Sequence, residues 1–181
     1  MRALATHPIK DREKLNLIAD EIYEAGHAYY VMFELCINTG SNCNTLYLMN
    51  VAEAKRVVNT GILRMPLPSR NLKVADPANF GIYLTKEMIN LLDKLIDGRD
   101  EAEQLFSPDT GFKSITIYSR TLNTICKKHL GVPLSPAAFK KTFGYWYYTF
   151  GGDERDLFKF LNLNCRSRLY EYIEVDVSEE D

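Results

Sequence analysis

Apolar residues fall at helical steps along most of this chain. Between Lys10 and Ala25, Leu15, Ile18, Ala19 and Ile22 recur every three or four residues, and Gly26 ends the run. The segment HAYYVMFELCINT, His27–Thr39, predicts a second and more apolar helix. A short third helix is expected over Asn42–Met49. In TKEMINLLDKLID, Met88, Leu91, Leu92, Leu95 and Ile96 share one face, which predicts a helix over Thr85–Asp97. Arg99–Asp109 reads as a polar, acidic connection. Ser119–Leu130 predicts another helix, preceded by the apolar run Ile115–Tyr118 and closed by Gly131. Residues 1–9 read as an extended lead-in.

The stretch that organises the chain is SPAAFKKTFGYWYYTFGGDERDLFKFLNLNCRSRLYEYI, Ser135–Ile173. Ser135 suits an N-cap, and Pro136 suits the first helical position because its missing N–H would be unpaired there anyway. Phe139, Phe143, Trp146, Tyr147 and Phe150 then stripe one helical face for burial. Gly151 and Gly152 break that helix and Asp153 restarts the next.

Composition narrows the class. With 181 residues, one domain with a real core is expected. No apolar run reaches the roughly 18 residues of a membrane span, and the N-terminus carries no signal-peptide pattern. Cys36, Cys43, Cys126 and Cys165 lie far apart, without C-x-x-C spacing. They read as reduced, mostly buried thiols of a cytoplasmic protein. His7, His27 and His129 are equally scattered, so neither a metal nor another cofactor is expected. Net charge is −2, but six of the 24 acids lie in EYIEVDVSEED, Glu171 to the end. The rest of the chain holds 22 bases against 18 acids. A mildly basic body with an acidic tail suits a DNA binder, and equally a body whose tail is merely solvated.

The organising stretch resembles the C-terminal part of the catalytic domain of tyrosine recombinases, the phage-integrase family. Members carry a pattern like H-x-L-R-K-T-F-G-Y, then a helix, N-H-S-S and a tyrosine. AAFKKTFGY and LNLNC with Tyr172 take those places here. Further upstream, Thr39 and Gly40 resemble the family's T-G-L-R opening. The resemblance covers about Pro8 to Ile173. It implies a mainly α fold with a small antiparallel β-sheet (α+β), as a single domain over residues 1–173. No N-terminal DNA-clamping domain is expected, and an acidic tail follows at 174–181. It also implies strands near Val57–Val58, Asn71–Val74 and Gly81–Leu84, although Pro66, Pro68 and Pro77 interrupt them.

The family's chemistry does not carry over with the pattern. Asn42 stands at the first catalytic arginine position, Ala137 and Leu163 at the two histidine positions, and Lys140 at the second arginine. Lys73 is nearest the family's hairpin lysine, and Tyr172 alone matches a catalytic residue. Strand cleavage needs guanidinium forks on the phosphate, and one lost donor of that kind costs about 10²–10³ in rate. An unassisted phenol with pKa near 10 is a poor nucleophile. Tyr172 therefore reads as a packing residue, Ala137 and Leu163 as core replacements, and Asn42 equally as a helix cap.

DNA contact outlives catalysis, because neutralising phosphates needs bases and no active-site geometry. Arg70, Arg120, Lys140, Lys141, Arg166 and Arg168 form the candidate DNA-binding set, inferred to share a concave face. The leading expectation is a catalytically inactive, recombinase-like binder of double-stranded DNA, a regulator from a phage or mobile element. The alternative is an interaction module that associates with itself or a recombinase partner through the tail. An active recombinase comes third.

Overall fold

Asp11 accepts the Lys14 backbone N–H at 3.1 Å and so starts α1 (Arg12–Ala25), which buries Ile18 and Ile22. The computed structural model describes residues 6–64, 81–163 and 165–176. Gly26 separates α1 from α2 (His27–Thr39), and α2 is apolar on most sides because it runs through the core. Its Tyr29, Val31, Met32, Phe33, Leu35 and Cys36 are all buried, and it packs against α1 and three later helices. Gly40 ends α2 in the left-handed region (φ 66°), and α3 (Cys43–Tyr47) follows at once.

α4 (Val51–Thr60) takes the residues expected as the first strand, Val57 and Val58, and corrects that reading. The physical reason is a capping box. Asn50 Oδ1 accepts from Glu53 N at 2.8 Å, and Glu53 Oε2 accepts from Asn50 N at 3.0 Å. With the helix so fixed, Val51, Ala54 and Val57 fall on its buried face, and the strand waits until Gly61 has ended it. β1 (Ile62–Arg64) pairs antiparallel with β2 (Gly81–Tyr83), Leu63 opposite Ile82. The strand expected at Asn71–Val74, with Arg70 and Lys73, lies outside the described residues.

α5 (Lys86–Ile96) is capped by the Thr85 hydroxyl and packs on α4 and α2. The polar connection after it is held by Arg99, whose guanidinium donates to Glu103 Oε2 and to the carbonyls of Gln104 and Leu105. α6 starts earlier than expected. Ser114 caps it, so Ile115–Tyr118 forms its first turn and the helix runs Ile115–Leu130.

α7 (Ala137–Thr149) begins after Pro136, which already has helical angles (φ −55°, ψ −23°). Ser135 departs from its expected capping role. Its carbonyl accepts from Ala138 N, but its buried hydroxyl has no partner among the described residues. α8 (Glu154–Leu161), capped by Asp153, and α9 (Arg166–Ile173) complete the described chain. The aromatic stripe of α7 is buried only in part: Phe139 and Phe143 are covered, while Phe150 is 70% exposed.

Among the described residues the architecture is mainly α with a small two-stranded antiparallel sheet. Its core comes in two clusters that meet along α7. Phe139 belongs to the larger one, with α1–α6. Phe143, one turn on, belongs to the smaller one, with Leu157, Leu161, Leu169 and Ile173. Among the described residues no helix is long and apolar enough to cross a membrane.

Candidate functional site

Two close approaches fix what surrounds α7. A Cβ on Gly40 would lie 2.6 Å from the Phe143 ring, so the turn after α2 sits directly on α7. A Cβ on Gly144 would lie 2.7 Å from Ile173 and 3.0 Å from Leu161, so α8 and α9 sit on the other side. Small residues at these two points let three backbones converge on one helix.

That convergence gathers some of the residues singled out in the sequence. Asn42 lies in the turn after Gly40, exposed, and its Oδ1 accepts the Asn44 N–H at 2.8 Å, so it caps α3. Lys140 lies one turn before Phe143 on α7. Burial lowers its ammonium pKa, and no acid pairs with it among the described residues. Lys141, beside it, reaches α9: its Nζ lies 5.2 Å from the centre of the Tyr172 ring. Tyr172 is half-buried against the smaller cluster, and burial pushes its phenol pKa up, which makes it a still weaker nucleophile. Leu163 packs into the same cluster. Ala137 corrects an expectation, since it lies exposed in the first turn of α7 and replaces nothing in the core.

Of the remaining bases, two stand on α9 and one on α6. Arg166 Nε lies 2.9 Å from Glu154 Oε2, an ion pair not aligned as an N–H···O bond, which ties α9 to α8. Tyr170 strengthens that tie by donating its hydroxyl to Glu154 Oε1 at 2.6 Å. Arg168 is exposed on α9. Arg120 is exposed on α6, a helix that packs against α1 and α3.

Sequence reasoning missed Glu174, which meets Lys141, and His7 and Lys10, which meet Glu174. Glu174 follows α9 with a left-handed backbone (φ 56°), and this turns its side chain back onto the body. Its Oε1 lies 2.7 Å from His7 Nδ1 and 3.6 Å from Lys141 Nζ, while its carbonyl accepts from Lys10 Nζ. Lys10 Nζ also lies 5.4 Å from the centre of the Tyr145 ring. Nothing in the sequence marks this set, because 164 or more residues separate His7 and Lys10 from Glu174.

A groove of about 700 Å³ opens beside the Ser41 turn, walled by α3, α4 and β1. Arg56 and Arg64 line it with Ser41, Thr45, Glu53 and the exposed Leu48, so it offers two further guanidiniums. Among the described residues no three His, Cys, Asp or Glu side chains gather in a way that could hold a metal ion. Family models, curated proteins and solved structures were all compared with this chain, and none matches.

Proposed function

We propose that this chain is a tyrosine-recombinase-like DNA-binding protein that has lost strand cleavage and serves a phage or mobile element as a regulator. Lys140 is the observation that carries the reading. A half-buried ammonium with no acidic partner among the described residues is costly to the fold, and an anionic ligand offsets that cost. It stands at the place of the family's second arginine, on the helix that also receives the Asn42 turn and Tyr172. The neutral groups at the family's other catalytic positions argue against catalysis: Asn42 is engaged as a cap, Ala137 and Leu163 are apolar, and Tyr172 has a raised pKa.

The test is duplex binding over a range of salt. Lys140→Ala weakens binding and flattens the dependence on salt by about 0.9 in logarithmic slope, the loss of one phosphate contact. Arg120→Ala tests in the same way whether α6 shares the interface. A nicked duplex yields no covalent adduct with Tyr172, and an adduct abolished by Tyr172→Phe would overturn the loss of catalysis. A second reading, an interaction module for a recombinase or partner subunit, draws on the groove with Leu48, which is 77% exposed. It takes precedence if the chain ignores DNA at low salt.

A further inference from the structure

We propose that His7, Lys10 and Lys141 form a second anion site, one that takes a backbone phosphate of nucleic acid and is closed here by the chain's own Glu174. The proposal rests on the DNA-binding reading for the source of the phosphate, but its geometry stands apart from the Lys140 position.

Two fixed positive charges and an imidazole surround a single residue, Glu174. Glu174 Oε1 takes both the His7 contact at 2.7 Å and the Lys141 contact at 3.6 Å. Lys10 reaches only the Glu174 carbonyl, so no carboxylate neutralises its ammonium among the described residues. The site therefore stays net positive with Glu174 in place. A phosphate can present a separate oxygen to each cation, whereas the carboxylate divides one oxygen between two of them.

The cations are held independently of the Glu174 carboxylate. Lys141 and Lys10 each lie over an aromatic ring, Tyr172 and Tyr145 respectively, which favours the ammonium positions electrostatically. The segment that brings His7 and Lys10 is pinned to α7 at Ile9, whose N–H donates to the Thr142 hydroxyl and whose carbonyl accepts from the Trp146 indole N–H. The Lys141 side chain is only 18% exposed, and an ammonium at that depth keeps its charge best with an anion beside it.

Glu174 is the part built to leave. It is a non-glycine residue in the left-handed region, which L side chains adopt at a cost. Its side chain already reaches solvent at 30% exposure, so it can turn outward without unpacking a helix. Displacement by phosphate then exchanges one anion for another over cations that stay where they are.

The experiment compares wild type with Glu174→Gln, using two probes. Inorganic phosphate is followed by the fluorescence of Trp146, the chain's single tryptophan, which bonds the segment carrying His7 and Lys10. A short duplex is followed by anisotropy over a range of salt. Glu174→Gln is expected to bind both about tenfold tighter, and Lys141→Gln in that background removes both gains. Unchanged affinities for both probes in a folded Glu174→Gln overturn the proposal and leave Glu174 as a pin between the chain ends. Tighter phosphate binding with no duplex binding by either protein overturns the DNA reading and leaves the anion site standing. If Glu174→Gln does not fold, Lys141→Gln and His7→Gln in the native background decide. Each should lower the salt slope for the duplex by up to about 0.9, and an unchanged slope in both overturns the site.

Discussion

Trp146 donates its indole N–H to the Ile9 carbonyl across 2.9 Å, while Thr142, one turn earlier on α7, accepts the Ile9 N–H at the same distance. One extended residue near the start of the chain thus satisfies both of its backbone groups on a helix more than 130 residues away. Its side chain is buried at 3% exposure, so water cannot replace either partner freely. This is how residues 7–10 come to stand beside α9.

Thr142→Val removes the acceptor and leaves the Ile9 N–H buried without a partner. The expected loss is about 1–3 kcal/mol, measured by equilibrium denaturation, with earlier proteolysis ahead of α1. Trp146→Phe should weaken the same docking by less, since a carbonyl tolerates a missing donor better than a buried N–H tolerates a missing acceptor.

Alanine at Gly40 should be worse than alanine at Gly144. Gly40 combines a left-handed φ of 66° with a Cβ position 2.6 Å from the Phe143 ring, for an expected loss of about 2–4 kcal/mol. At Gly144 the clash with Ile173 and Leu161 is partly offset by the roughly 0.5–1 kcal/mol that alanine gains in a helix interior. Denaturation midpoints of the two variants give the order directly, and a reversed order would contradict this account of the turn.

Lys140→Met should stabilise the protein while weakening duplex binding. It removes an amine that burial disfavours when charged, so the melting midpoint should rise. The sign with pH follows from the lowered folded pKa. The penalty is complete below that pKa, where both states are charged, and it vanishes above the unfolded value of about 10.4. The advantage of Lys140→Met therefore shrinks as pH rises towards that value, which melting curves of the pair will show.

Tyr170 should titrate late. Its hydrogen bond to the Glu154 carboxylate, with burial in support, pushes its pKa to about 12, against about 10 in the unfolded chain. The stability this adds is fully present below pH about 10 and is lost as pH rises through about 12. Tyrosinate absorbance of wild type less that of Tyr170→Phe isolates the group, and Glu154→Gln should bring it back towards its ordinary range.

What the sequence determined by itself was local. Helical spacing of Ile18 with Ile22, or of Met88 with Leu92 and Leu95, is a property of neighbouring residues, and so is a cap such as Asn42 or Asp153. Those elements stand where the pattern puts them, and the mainly α character follows, whereas the small sheet was expected only from the family resemblance. The Val57–Val58 strand was the local misreading, because two valines suit a strand equally well until the Asn50–Glu53 box and Gly61 enclose them in a helix. Tertiary structure alone decided the rest. Pro8, Ile9 and Lys10 hold no periodicity, and Glu174 reads as the first acid of a solvated tail. They meet because α7 offers hydrogen-bond partners to a distant strand of chain, and because a left-handed turn after α9 sends one carboxylate inward. Such contacts come from packing between segments far apart in the chain, which no spacing of residues along it records.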